Sequence, residues 1–306
     1  MIIEKAPLVS VIIAFLNEER FLEEAIKSVL AQDYKHLELL LVDDGSTDES
    51  IGIALKYAAS SDGEIIYCEH EGHINKGLSA SRNLGIKHAK GALIAFLDAD
   101  DVWLPNKLTN QVSIFEQNPE IDMIAEATDY WYSWENSAAK NVIIPVGVTP
   151  DRVYDPPQLM VQLYPLGNGD APCTCGLLIK KESITDVGGF EESFKTMYED
   201  QAFLTKIYLE KKVYISSTCN NRYRQRSDSM LHTVQMTAYH KIRKYFLLWL
   251  ETYFSKKQVN NTLLKKMLKK ALLPYKHPVI NFFRYTGPAK TLKLLKKIIH
   301  SIKGNR

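Results

Sequence analysis

The chain has few cysteines, and their spacing excludes the small folds that cysteines usually hold together. The four are Cys68, Cys173, Cys175 and Cys219, and a single residue separates the middle pair. Paired zinc ligands commonly have two residues between them, and disulfide scaffolds carry more cysteines in shorter chains. We therefore expect reduced, partly buried thiols.

Long apolar runs are also missing. No stretch approaches the roughly 20 consecutive apolar residues that a membrane-spanning helix requires. At the start of the chain, Glu4 and Lys5 arrive before an apolar run develops, so we expect no secretory leader. These absences together predict a cytoplasmic protein.

The chain does have enough apolar residues for a core, and its charges are strongly separated. Of its 306 residues, 45% are hydrophobic and 24% are charged, which suits one large or two small domains. Residues 241–306 hold 17 Lys plus Arg and one acid, for a net charge of +16. Residues 1–240 hold 21 bases and 35 acids, for a net charge of −14. The split predicts an acidic body with a basic extension.

The first hundred residues alternate apolar runs of strand length with helical patterns. The apolar runs lie at 9–15, 37–42, 65–68 and 92–97. Ser46 or Thr47 is placed to cap the second helix, and Gly91 ends the third. This alternation predicts an α/β fold with a mostly parallel sheet flanked by helices. Ligands of such sheets bind beyond the carboxyl ends of the strands.

Polar side chains follow three of these runs, at the ends of the expected strands. They are Asn17, the pair 43–44 and the acidic turn 98–101. In that turn, Asp98 and Asp100 are hard oxygen donors of the kind that holds Mg²⁺ or Mn²⁺ against a diphosphate. A solvated acidic turn is the alternative from the residues alone.

Four segments also occur in a characteristic order and at characteristic separations. They read VSVIIAFLNE at 9–18, LVDDGSTD at 41–48, NKGLSASRNLG at 75–85 and GALIAFLDADD at 91–101. Together they resemble glycosyltransferase family 2, over roughly residues 7–235. The resemblance implies the GT-A fold, a nucleotide-diphosphate sugar donor and inversion at the anomeric carbon.

The resemblance implies roles for individual residues. Those expected at the nucleotide are Asn17, Glu18, Asp44, Arg82 and Asp98. Asp44 would bind the base, Asp98 the ribose, and Arg82 the base or the phosphates. The neighbour of Asp44 would order the turn, and Asp100 would hold the expected cofactor, Mn²⁺ or Mg²⁺.

Inversion requires a base that deprotonates the acceptor hydroxyl. The pair Glu199-Asp200 resembles the acidic pair of the family, so Asp200 is expected as the base. Glu199 would orient it or contact the acceptor. From the pattern alone, both acids would simply stabilise the N-terminus of a following amphipathic helix, through their interaction with its dipole.

A basic loop near residue 225 resembles the segment that closes over the donor in related enzymes. Arg224 or Arg226 would meet the diphosphate there, with an exposed basic loop as the equal alternative. His232 is either a further metal ligand or a surface histidine.

The resemblance predicts an inverting transferase that moves a sugar from a UDP-sugar to a hydroxyl of a glycan or lipid-linked glycan. Because the Gln-x-x-Arg-Trp signature of processive members is missing, we expect one hexosyl or N-acetylhexosaminyl residue per cycle. One alternative is a nucleotidyltransferase, which would need a glycine-rich loop where Ala14-Phe-Leu-Asn-Glu stands. The other is a nucleotide-sugar-binding protein without turnover.

Three divisions of the chain are expected. They are a nucleotide-sugar-binding half at 1–110, an acceptor-binding half at 111–235 and a basic amphipathic helical extension at 236–306. Within the extension, helices are expected at 241–254, 263–273 and 290–302, separated by Pro274, Pro278 and Pro288.

The charge of the extension predicts attachment to the anionic inner face of the cell membrane, as a peripheral protein. A helical cap that packs on the body is the alternative. No nucleic-acid recognition module occurs in the sequence, so we expect no nucleic-acid partner.

Overall fold

The computed structural model describes residues 6–227 and 235–283. The chain divides into two compact units, Met1–Val234 and Gln235–Arg306. The helix expected at 290–302 and His232 lie outside the described residues.

The larger unit contains two sheets. Its strands are β1 Val9–Phe15, β2 Leu37–Asp43, β3 Ile65–Glu69, β4 Leu93–Phe96, β5 Val102–Trp103, β6 Met123–Glu126, β7 Thr128–Trp131, β8 Val142–Ile144, β9 Arg152–Tyr154, β10 Leu177–Lys180, β11 Val213–Ser216 and β12 Asn221–Arg224. The eight-stranded sheet has the order β3-β2-β1-β4-β10-β6-β11-β9, and the four-stranded sheet has the order β5-β12-β7-β8. Strands from both sides of residue 110 therefore share one sheet.

Helices connect most of these strands. They are α1 Leu22–Leu30, α2 Ser50–Ala59, α3 Leu78–His88, α4 Lys107–Gln117, α5 Gln158–Gln162, α6 Lys181–Asp186 and α7 Glu199–Glu210. Strands β1 to β4 pair in parallel, while β10 runs antiparallel between β4 and β6. The predicted α/β fold with a mostly parallel sheet is confirmed.

The first apolar run of the sequence, β1, contributes to the core of the larger unit. Every residue of β1 is buried, because the strand lies between two parallel neighbours, with Val9 opposite both Leu37 and Leu93. Leu22 and Ile26 of α1 belong to the same buried cluster. Full burial of such a side chain contributes roughly 1.5–3 kcal/mol, so β1 anchors the loop that follows it.

Two local expectations are wrong. Neither Ser46 nor Thr47 caps α2, which begins at Ser50 without a side-chain cap, because these two residues bind the first loop instead. The helix α7 is not amphipathic, since all residues from Gln201 to Tyr208 are buried.

The smaller unit is helical where it is described. Its helices are α8 Met236–Lys256, α9 Thr262–Lys276 and α10 Pro278–Asn281. Asn261 caps α9 by accepting a hydrogen bond from the Leu264 amide, 3.0 Å away. Pro274 lies inside α9 instead of ending it, which corrects its expected role as a separator. No helix in the described part of the chain is long and apolar enough to cross a bilayer.

Substitution of Gly91 tests the close packing at the start of β1, and substitution of Gly52 in α2 is the control. A Cβ on Gly91 would lie 2.6 Å from the Leu8 carbonyl oxygen and 2.7 Å from the Ser10 amide, and neither backbone group can move aside. We expect Gly91→Ala to lower the free energy of unfolding by about 1–3 kcal/mol. Gly52→Ala, in α2, should raise it by about 0.5–1 kcal/mol through helix propensity.

Urea denaturation measures both glycine variants against the wild type. Equal stability of Gly91→Ala and the wild type would contradict the close approach of the backbone at that position.

Candidate active site

Two loops at one edge of the sheet are tied together by hydrogen bonds. The amides of Asn17 and Glu18, after β1, donate to the hydroxyls of Ser46 and Ser50 over 3.0 and 2.8 Å. In return, the Thr47 amide donates to the Asn17 side chain over 2.7 Å. Asn17 adopts a positive φ of 55° at this crossing. The loops after β1 and β2 therefore form one preformed rim.

Asp44 lies inside this rim. Its buried carboxylate accepts hydrogen bonds from the amides of Lys76 and Gly77 and from the Ser81 hydroxyl, at 2.8 to 3.0 Å. Asp43 accepts from the Ser46 amide at 2.9 Å. Both acids thus order turns, although the sequence assigned that task to Asp43 alone. The contact of Asp44 with the base of the nucleotide stays a prediction.

A further cluster, beside β2 and β3, was not predicted from the sequence. Ligand atoms of Asp43, Glu69 and His73 all lie within 4.8 Å of one another. The His73 ring contacts the Ser46 carbonyl oxygen and the Glu69 carboxylate, each at 2.9 Å, and these two contacts raise its pKa. When protonated, the imidazole donates to both acceptors, and when neutral it leaves one ring nitrogen as a possible metal ligand.

The sheet register could have revealed this cluster. Glu69 ends β3 directly opposite Asp43 at the end of β2. The parallel pairing of these two strands therefore brings the carboxylates together.

Arg82 of α3 lies at the centre of the acidic residues. It is 3% exposed, and its Nη2 donates to Asp98 over 2.6 Å. Its charge also favours ionisation of Glu199 and Asp200. The Nη1 atom is buried and has no hydrogen-bond partner among the described residues. A buried cationic donor without a hydrogen-bond partner lowers the stability of the fold, so this atom is suited to an anionic ligand.

The acidic turn after β4 holds three carboxylates in four residues. Burial, followed by the charge of Asp98, raises the pKa of Asp100. Asp101 is fully buried, and its pKa is raised well above the usual value by burial and then by the charge of Asp100. Asp101 accepts a hydrogen bond from the Arg224 amide at 2.8 Å, so it holds β12 beside the turn.

The oxygen donors at this turn fit a divalent ion. Asp98 and Asp100 keep side-chain exposures of 34% and 24%, and they repel each other. Hard carboxylate oxygens of this kind suit Mg²⁺ or Mn²⁺.

Arg224 and Arg226 have different surroundings although only Gln225 lies between them. Arg224 is 4% exposed, and its guanidinium lies 4.4 to 5.0 Å from the ring centres of Phe21, Trp131 and Trp134. It also donates to the Asp100 carbonyl oxygen at 2.6 Å. The structure therefore makes Arg224 a buried support of the acidic turn.

Arg226 instead reaches the expected site residues themselves. Its Nη1 lies 2.9 Å from a Glu18 oxygen and 3.1 Å from a carboxylate oxygen of Asp100. One guanidinium thus joins an expected nucleotide residue to the expected metal ligand.

Glu199 and Asp200, the pair expected to supply and support the catalytic base, are the first two residues of α7. Asp200 accepts hydrogen bonds from the Gln201 amide and side chain at 2.6 and 3.1 Å. Burial raises its pKa, and the Gln201 contacts only partly offset that effect. Burial, and then the charge of Asp200, raises the pKa of Glu199 to about 7. The preceding Tyr198 has a φ of 72°.

The sequence profile described as glycosyl transferase family 2 matches residues 10–188. This chain belongs to that family. An uncharacterised glycosyltransferase of Rickettsia typhi is 29% identical over 96% of this chain and 87% of its own length. One from Rickettsia prowazekii is 30% identical over 94% and 84%. The minor teichoic acid biosynthesis protein of Bacillus subtilis is 29% identical over 72% of this chain and 23% of its own.

Solved structures agree with the fold of this glycosyltransferase. S. aureus TarS 1–349 in complex with UDP-GlcNAc has a TM-score of 0.64 at 17% identity, over 90% of this chain and 76% of its own. A mannosyltransferase from Pyrobaculum calidifontis in complex with GDP-Man and Mn²⁺ has a TM-score of 0.56 at 17% identity, over 97% and 81%. At these identities the likeness concerns the fold alone, and the predicted GT-A fold is confirmed.

The contrast between the two arginines of the glycosyltransferase can be measured. We expect Arg224→Met to lower the free energy of unfolding by about 2–4 kcal/mol, because it removes the buried cation from three rings, from the Asp100 carbonyl oxygen and from the Glu24 carboxylate. Arg226→Met should change it by less than about 1 kcal/mol, because its acidic partners are partly exposed. Chemical denaturation of both variants is the measurement, and equal losses would contradict the assignment.

The raised pKa of Glu199 makes stability depend on pH. Since the folded pKa lies near 7 and the usual value is 4.5, the favourable contribution is complete below 4.5 and is lost as pH rises to 7. We expect Glu199→Gln to be more stable than the wild type at about pH 8, by on the order of 2 kcal/mol, and no more stable at about pH 5.

Thermal unfolding at both pH values tests this difference. The exposed Glu64→Gln serves as the control, and an equal pH effect in the two variants would refute the burial of the Glu199 charge.

Proposed function

We propose that this chain transfers one sugar from a nucleotide-diphosphate sugar to an acceptor hydroxyl, with inversion at the anomeric carbon. The observation that carries the proposal is the position of Arg82. Its buried guanidinium donates a hydrogen bond to Asp98, and its charge favours the ionised form of Asp200. Its Nη1 atom has no hydrogen-bond partner among the described residues. A phosphate oxygen of the donor would complete its hydrogen bonds.

The rim residues would bind the donor from several sides. Asn17, Glu18 and Asp44 would lie around the nucleoside, and their hydrogen bonds to the loops preorganise them. Asp98 would meet the ribose, and Asp100 would hold Mn²⁺ or Mg²⁺. When bound, the ion supplies positive charge that offsets the charge of the leaving diphosphate.

Arg226 would be the arginine that meets the diphosphate. It already contacts Glu18 and Asp100, so its guanidinium lies beside both the nucleoside residues and the metal ligand. Arg224, held among aromatic rings, would support the turn from behind.

Asp200 would accept the proton of the attacking hydroxyl. Its raised pKa makes it a stronger base than an exposed carboxylate, while Arg82 and Gln201 keep the ionised form accessible. Glu199 would orient Asp200 or contact the acceptor. Because the base must be ionised, we expect turnover to fall as the pH drops through the pKa of Asp200.

Resemblance to known proteins supports a class of donor and product. TarS is in complex with UDP-GlcNAc, and the Bacillus relative is a teichoic acid biosynthesis protein. We propose a UDP-sugar donor, hexosyl or N-acetylhexosaminyl, and a cell-surface glycan or lipid-linked acceptor. We also propose that residues 241–306, with a net charge of +16, hold the enzyme on the cytoplasmic face of an anionic membrane.

Substitution of the acids tests the mechanism. We expect Asp200→Asn to lower sugar transfer by about 100- to 10,000-fold with donor binding retained, because only the proton acceptor is lost. Asp100→Asn should abolish the Mn²⁺-dependent part of a thermal shift caused by UDP-sugars. The control is Asp155→Asn, whose side chain is 65% exposed.

Two results would overturn the proposal. Transfer by Asp200→Asn at the wild-type rate would exclude Asp200 as the base. A wild-type protein that binds UDP-sugars but neither transfers nor hydrolyses them would favour a binding protein.

A further inference from the structure

The smaller unit contains a groove between α8 and α9 with a volume of about 750 Å³. Its lining is apolar at the base, where Phe254, Leu268 and Leu272 are 5%, 5% and 2% exposed. Polar and basic side chains surround this base. The groove is therefore amphipathic, with an apolar floor beneath a charged rim.

The rim is positively charged. Lys265, Lys269, Lys276 and His277 line it, and Glu251 is the acid among the lining residues. Lys276 binds that acid at 2.6 and 2.7 Å. The exposed pair Lys265 and Lys269 lies one helical turn apart on α9, and the lining residues that the structure describes include no second acid to offset it. Such a rim is complementary to an anionic group.

A run of exposed apolar side chains begins immediately after the groove. Val279, Ile280, Phe282 and Phe283 are 67%, 50%, 49% and 72% exposed, within five consecutive residues. Exposed clusters of large apolar side chains mark surfaces that contact proteins or membranes. Aromatic and aliphatic side chains beside lysines are typical of segments that lie in the headgroup region of a bilayer.

We propose that this surface is a docking site for anionic phospholipid in a bilayer. Lys265 and Lys269 bind the headgroup phosphate, the apolar floor receives the start of an acyl chain, and Phe282 and Phe283 enter the interface. The inference deepens the proposed membrane attachment and rests on it, by naming the residues and the class of lipid.

Charge argues against residues 284–306 of this chain as the occupant. Residues 284–306 carry seven Lys plus Arg and no Asp or Glu, so they would bring like charge to the rim. A nucleic acid would use the lysines but would leave the apolar run without a partner.

Flotation of the full-length protein with vesicles tests the site. On vesicles of phosphatidylcholine with phosphatidylglycerol, we expect Lys265→Gln with Lys269→Gln to weaken binding about 30-fold, which corresponds to about 1 kcal/mol for each lysine. The matched control is Lys266→Gln with Lys270→Gln, on the same helix but outside the groove lining, which should lose clearly less. Phe282→Ser with Phe283→Ser should weaken binding to neutral phosphatidylcholine vesicles as well.

Four outcomes would overturn the proposal. They are equal losses from the two lysine pairs, unchanged binding of the phenylalanine variant, full displacement by inorganic phosphate, and binding of a single-stranded oligonucleotide with the same lysine dependence. Circular dichroism checks that each variant is folded.

Sugar transfer measured without vesicles separates this proposal from the enzymatic one. All of these variants should retain transfer to a soluble acceptor. A wild-type protein that floats without transferring sugar would refute the enzymatic proposal alone, and one that transfers sugar without floating would refute the lipid site alone.

Discussion

Mutual repulsion among three carboxylates at the end of β4 is the constraint that organises the larger unit. Asp98 and Asp100 share a short turn with the buried Asp101. Burial raises the pKa values of Asp100 and Asp101. Arginines from separate parts of the chain offset this charge. Arg82 reaches the turn from α3, and Arg224 reaches it from β12. Since removal of one partner from a buried ionic network leaves uncompensated charge, these elements stabilise one another.

Hydrogen bonds also orient the loops and helices of the candidate site. The loops after β1 and β2 are joined by hydrogen bonds, and the carboxylate of Asp44 fixes the start of α3, the helix that carries Arg82. At the opposite side, Asp200 is held by Gln201 at the first turn of α7. Groups that are already oriented lose little entropy when a charged ligand arrives, which favours both binding and transition-state stabilisation.

The two units carry opposite net charge, which suits the separate tasks that we propose for them. An acidic body suits the binding of a divalent ion together with a diphosphate. In the described part of the basic unit, α8 and α9 carry lysines and arginines, and apolar residues of α10 and of the two positions after it are exposed. A lipid surface would satisfy both features at once, and it would keep the enzyme near lipid-linked acceptors.

The sequence by itself determined the parallel sheet and the acidic edge, because strand-length apolar runs followed by residues such as Asp98 are local signals. Only the tertiary structure decided which of Arg224 and Arg226 is buried, since the aromatic rings around the first come from distant segments. Likewise, the pairing of Asp43 with Glu69 depends on strand register. Contacts between distant segments leave no periodic pattern, whereas strand ends and motifs do.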